Sequence, residues 1–98
     1  MVINVERESG LVALEIAGRL DATTAPNLDK TVIQLCEDAR ELVFDISALE
    51  YISSAGIRVL LKAYKKMNVD GSMRIIGASK MVREVFEMTG LLEMLEQE

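Results

Sequence analysis

The chain has no histidine and no tryptophan, one cysteine, one proline, two phenylalanines and two tyrosines among its 98 residues. Without histidine, the side chain that most often acts as a general base near neutral pH is missing, so a nucleophilic serine has no usual activator. With Cys36 as the one soft ligand, a transition-metal site lacks its customary donors, and neither a metal nor another cofactor is expected. Carboxylates remain as ligands for a hard cation, but no calcium-loop spacing occurs. A single cysteine rules out an intrachain disulfide and agrees with a reducing compartment. The opening "MVINVERESG" has neither the basic start nor the apolar run of a secretory signal. No apolar stretch approaches a membrane span, so a cytoplasmic chain without a membrane partner is expected. The formal net charge of −5 supplies little basic surface to neutralise phosphates, which argues against a direct nucleic-acid partner.

What is abundant is aliphatic. Hydrophobic residues make up 50% of the chain, enough for one packed domain spanning 1–98. Residues 2–8 and 11–17 read as strands joined by the turn dipeptide Ser9-Gly10, a hairpin. In the second strand Val12, Leu14 and Ile16 share one face, while Ala13, Glu15 and Ala17 share the other. "GRLDATTAP" then breaks the alternation. Thr23 and Thr24 are candidate helix caps and Pro26 suits a first turn. Leu28, Val32, Leu35, Cys36 and Ala39 follow at helical spacing, predicting a helix near 25–38 with Cys36 as a small buried hydrophobe. "ELVFDIS" predicts a strand with Leu42, Phe44 and Ile46 inward. A loop over 47–54 leads to a helix near 55–68 with an apolar stripe of Ile57, Leu60, Leu61, Tyr64 and Met67. "MRIIGA" is the next strand, and "SKMVREVFEM" a helix with Val82, Val85 and Phe86 inward. Gly90 is a stop, and "LLEMLEQE" carries one more helical turn. Repeated strand–helix units predict an α/β fold: a mostly parallel sheet with an N-terminal antiparallel hairpin strand and helices after the strands.

In such a sheet the connections 18–24, 47–54 and 77–79 meet at the carboxyl edge, each running into a helix start. That edge is where open α/β sheets bind their ligands. It carries "ISSAG", with Ser53 and Ser54 side by side. Catalysis is disfavoured, since no base is at hand and the glycine two residues before a nucleophile-elbow serine is absent. Neither a Walker loop nor a dinucleotide fingerprint occurs, which leaves a small nucleotide-binding module as a weak reading. A phosphoserine at a helix start meets a favourable dipole and need not unfold the domain. The plainest reading is a cap, one serine accepting a bond from a first-turn N–H. The helix that follows bears Arg58, Lys62, Lys65 and Lys66 on its outer side, either a solvated face or, at Arg58, a partner contact.

"DISALEYISSAGIRVLLKAYKK" resembles the signature of the anti-sigma factor antagonists, the small stand-alone STAS domains of bacterial partner-switching pathways. "GRLDATTAPNL" is similar to the family's Gly-x-Leu-Asp loop and first helix, and "VREVFEMTGLLEML" to its Thr-Gly-Leu ending. The resemblance implies a STAS-like fold and a binding protein rather than an enzyme. It implies an anti-sigma serine/threonine kinase as partner, bound by the unphosphorylated form and released by phosphorylation. It also implies a serine phosphatase of the metal-dependent type that restores the first state. On this chain the phosphoacceptor falls on Ser54, with Ser53 as the alternative because it replaces an aspartate found in many members. Asp21, Thr23, Ser53, Gly56, Ile57 and Arg58 fall at partner-binding positions. Asp45 and Ser47 match an Asp and Ser that structure the loop. A reading of another class is a non-phosphorylated STAS subunit that binds a transport ATPase.

Overall fold

The computed structural model of the chain describes residues 1–95. Its elements run β1 (Val2–Glu8), β2 (Leu11–Leu20), α1 (Ala25–Asp38), β3 (Glu41–Asp45), β4 (Leu49–Ile52), α2 (Ser54–Asp70), β5 (Ser72–Ile76) and α3 (Lys80–Met88), followed by a 3-10 turn over Leu92–Met94. The last three residues of the predicted C-terminal turn lie outside the described residues.

β1 and β2 are antiparallel, paired from Val2 with Ala17 to Glu8 with Leu11. The two-residue loop closes because Ser9 and Gly10 both adopt positive φ, +46° and +89°. That backbone matches the twist of the flanking strands. The path continues β1-β2-β3-β5, with β2, β3 and β5 mutually parallel. Val12, Leu14 and Ile16 are buried, as are Leu42, Phe44 and Ile46, and they join one core with Leu28, Val32, Leu35, Val82 and Phe86 from the helices. The alternation predicted for β2 thus sorts core from surface.

β4 was not expected; the sequence reading had this segment as loop. Here β2 continues past Gly18 to Leu20 and changes partner, leaving β3 and pairing in parallel with β4. The register slips between Gly18 and Arg19, so that Gly18 faces Leu49 while Arg19 faces Tyr51. Glu50 is the residue left over. A bulge of this kind destroys the two-residue alternation, which is why Leu49 and Ile52 are buried with two exposed residues between them.

The apolar face of α2 also differs from expectation. Gly56, Ile57, Val59, Leu60, Ala63 and Met67 are its buried residues. Leu61 and Tyr64 are half-buried on its flank, as Val85 is on α3 and Cys36 and Ala39 are at the end of α1.

Candidate functional site

The carboxyl edge is assembled by backbone bonds between three loops. Gly18 N–H donates to Ala48 O at 3.1 Å, Ser53 N–H to Leu20 O at 2.9 Å, and Ile46 N–H to Ile76 O at 2.9 Å. Gly77, at φ +80°, lies so close to the second loop that an added Cβ would stand 2.9 Å from Ser47 Cβ and 3.0 Å from Asp45 Oδ1. Ser47 N–H in turn donates to Asp45 Oδ1 at 3.0 Å. The Asp45 carboxylate thus accepts from the Ser47 backbone and shapes the loop from within.

Asp21 organises the first loop. Its Oδ1 accepts from Thr23 N–H at 3.0 Å, Thr23 Oγ1 at 2.7 Å and Thr24 N–H at 3.2 Å. Thr24 Oγ1 accepts from Asp21 N–H at 2.9 Å and donates to Arg19 O at 3.0 Å. So Thr24 sits at the helix N-cap without capping α1 through its side chain, and spends its hydroxyl on the loop. The bonds from Thr23, then Thr24, hold the Asp21 carboxyl below its ordinary pKa. A carboxylate depressed on folding stabilises above its unfolded pKa and stops doing so as pH falls through the lower folded pKa. We expect the loop amides of Thr23 and Thr24 to lose hydrogen-exchange protection in acid, below the ordinary aspartate range. Asp21→Ala, which removes the acceptor, should show the same loss at neutral pH. Unchanged protection in Asp21→Ala would mean that the backbone turn, not the side chain, holds the loop.

The paired serines have different surroundings. Ser53 is the N-cap residue of α2, with extended backbone, yet its side chain makes no cap bond. Its Oγ is buried and has no hydrogen-bond partner among the described residues. Ser54, the first residue of the helix, is exposed. The cap expected from sequence is therefore absent, and the first turn of α2 also lacks an acidic residue. Its free N–H groups and dipole are left uncompensated by side chains, a setting that favours an anion. By contrast Ser79 does cap α3, accepting from Val82 N–H at 3.3 Å.

Gly56, expected at the partner surface, and Ile57, expected both on the core stripe and as a partner contact, lie inside. Gly56 is buried because α2 approaches β2 and β4 closely, and Ile57, 4% exposed, belongs to the core. Both seat the helix that carries Ser54 on the core. Thr23 and Arg58 are exposed. Arg58 borders a shallow groove of about 340 Å³ between α1 and α2, floored by Ala22, Ala25, Pro26 and Val59. The basic side of α2 is partly engaged, since Lys62 Nζ lies 3.3 Å from Asp29 Oδ1.

Sequence reasoning missed Arg19 and Tyr51. The Arg19 guanidinium stacks 4.3 Å over the Tyr51 ring, and its Nε lies 3.9 Å from Asp21 Oδ2. The stack joins β2 to β4 beside the serines. No local signal marks it, because the pair forms only through the slipped register.

No described helix is long and apolar enough to cross a membrane. The STAS domain family model matches residues 2–97. The chain is 32% identical over 94 residues to the candidate anti-sigma factor antagonist BtrV of Bordetella bronchiseptica, covering 94% of this chain and 81% of that one. It is 24% identical to the anti-sigma-B factor antagonist of Bacillus subtilis, covering 96% and 87%. These relatives are named for antagonism of a regulatory factor, not for a reaction. The anti-sigma factor antagonist SpoIIAA superposes in its unphosphorylated form with a TM-score of 0.87 at 18% identity, over 99% of this chain and 88% of that one. In its phosphorylated form, from Bacillus, the TM-score is 0.79 at 17% identity, over 99% and 91%. The mixed sheet with one antiparallel hairpin strand is thus the fold of those proteins, and the chain belongs to the STAS domain family.

Proposed function

We propose that this protein is an anti-sigma factor antagonist that binds an anti-sigma serine/threonine kinase while Ser54 is unmodified and is released when Ser54 is phosphorylated. The observation that carries this reading is the contrast between the serines: Ser54 Oγ belongs to an exposed residue on an uncapped helix start, whereas Ser53 Oγ is buried. A kinase must bring the hydroxyl in line with the terminal phosphoryl group of ATP. At Ser54 the Oγ–P bond forms as the bond to ADP breaks, and the hydroxyl proton leaves to the kinase's base. At Ser53 the first turn of α2 would have to open. The relatives named as antagonists, and a SpoIIAA structure in phosphorylated form, support the same reading. A serine phosphatase of the metal-dependent type would return the protein to its binding form. Asp21, Thr23 and Arg58 are the exposed or half-exposed side chains at this edge that a kinase would meet.

The test begins with wild-type and Ser54→Asp protein as baits in lysate of the native host, with captured proteins identified by mass spectrometry. A serine kinase retained by wild type and lost by Ser54→Asp is expected. A membrane transport ATPase retained equally by both would favour the transporter-bound reading instead. The recovered kinase should then label wild type once, on Ser54. Ser54→Ala should abolish labelling and Ser53→Ala should largely spare it. Phosphate found on Ser53 would move the acceptor by one residue and require local opening of the helix.

A further inference from the structure

Ser54 and Arg58 are four residues apart on α2, and both are exposed. Residues at this spacing are neighbours on a helix surface, with Cβ atoms about 5–6 Å apart. Helical side chains lean toward the N-terminus, so a long side chain at 58 reaches back over the turn that holds 54. An anion placed first and a cation four residues later is also the favourable order along a helix.

Two other cations, one lining the α1–α2 groove and one in the first loop, are already engaged. Lys62 is paired with Asp29, and Arg19 lies against Asp21 and Tyr51. Among the described residues, Arg58 takes part in none of the ion pairs. The first turn of α2 has neither a side-chain cap nor an acidic residue to compete for it.

We propose that Arg58 is the intramolecular partner of the phosphoryl group on Ser54: modification draws the guanidinium back over the phosphate and withdraws it from the surface offered to partners. This rests on the reading of Ser54 as the acceptor and supplies the mechanism within the chain. The guanidinium fork matches two phosphate oxygens, which a lysine ammonium does not. One modification thus acts twice. It places negative charge and bulk on the helix start, and it closes off the free cation that borders the α1–α2 groove. The phosphorylated form remains folded because its new charge is met by both Arg58 and the helix dipole.

The test uses the full chain with phosphoserine installed at position 54 by co-translational incorporation or ligation, so no kinase is needed. Phosphorus NMR follows the second ionisation of the phosphoserine, which in an unperturbed setting lies at about 6. A cation held beside the phosphate favours the dianion and lowers that pKa. Arg58→Ala is expected to raise it by about a quarter of a unit relative to wild type, with Arg58→Lys between the two. Arg58→Gln retains much of the stem and hydrogen-bonding capacity without charge, and should behave as alanine does. It replaces Arg58→Ala should that variant lose the wild-type far-UV spectrum. Identical titrations of wild type and the neutral variants would overturn the proposal. That result is separate from failure of the kinase reading, which would appear as absent or misplaced labelling in the kinase assay while the titration stood.

Discussion

Ser54→Asp protein is expected to bind the anti-sigma kinase at least about tenfold more weakly than wild type, a loss of about 1.4 kcal/mol or more. Ser54 is a small exposed side chain at the start of α2, and under the proposed function its unmodified hydroxyl lies within the kinase contact. A charge there brings a desolvation cost into the contact and draws Arg58 away from the partner, and truncating or unpairing a charged contact at an interface costs about 2–5 kcal/mol. Asp21 lies half-buried in the first loop and Asp45 in the second, and both belong to the same edge. They add like-charge repulsion, and the net charge of −5 provides no compensating attraction. Arg58→Ala should weaken the unmodified complex too if the exposed guanidinium beside the groove is part of the contact. Calorimetry with the purified kinase reads both effects. The far-UV spectrum of Ser54→Asp should match wild type, because the uncapped helix start accommodates the charge. Equal affinity of wild type and Ser54→Asp would reject a charge-operated switch at this residue.

Gly56→Val should be the most destabilising substitution near the site. A Cβ built at Gly56 stands 2.5 Å from Leu20 Cγ, 2.9 Å from Leu20 Cδ2 and 3.1 Å from Ile52 Cγ1. Leu20 is fully buried and Ile52 is 2% exposed, so neither side chain has free space into which to swing. Overpacking a filled core by a methylene or two costs about 1–3 kcal/mol, and valine adds a branched group at the tightest point. For a domain of this size we expect the melting temperature to fall by roughly 10–20 °C. The first turn of the helix is held twice, since Ser53 N–H donates to Leu20 O and Gly56 packs against the same residue. Forcing α2 outward therefore also moves Ser54 relative to the loops around it. Leu20→Ala combined with Gly56→Val should recover part of the lost stability, because the two changes share one volume. A single variant that melts with wild type would show that α2 rides freely over β2 and β4, contrary to the contacts described.

The local chemistry of several elements was legible before the structure. The Ser9-Gly10 hairpin follows from turn chemistry, and the alternation from Val12 to Ile16 follows from the two faces of a strand. The helix starting at Ala25 carries its own start signal, Pro26, and its own apolar spacing. Ser79 and Gly90 bracket the third helix in the same way. Those signals are short-range, and a chain segment displays them whatever it later packs against. The same holds for the loops that place Asp21, Ser47 and the two serines at one sheet edge, since a parallel sheet directs all its carboxyl ends to one side.

Other features depended on partners distant in sequence. β4 has no readable alternation because its register with β2 slips at Gly18, and the slip exists only once the two segments pair. The Arg19–Tyr51 stack is a product of that pairing. Burial of Gly56 and Ile57 was decided by how closely α2 settles on Leu20 and Ile52, which helical spacing alone does not set. Most telling are Ser53 and Ser54, chemically identical and adjacent. In sequence either is a helix cap, a phosphoacceptor or neither. Packing against the end of β2 buries one hydroxyl without a partner and leaves the next residue exposed. The sequence by itself determined an α/β domain with paired hydroxyls at its carboxyl edge, because periodicity and turn chemistry are properties of neighbouring residues. Only the tertiary structure decided which of the two residues is exposed, because exposure is set by what the rest of the chain packs around it.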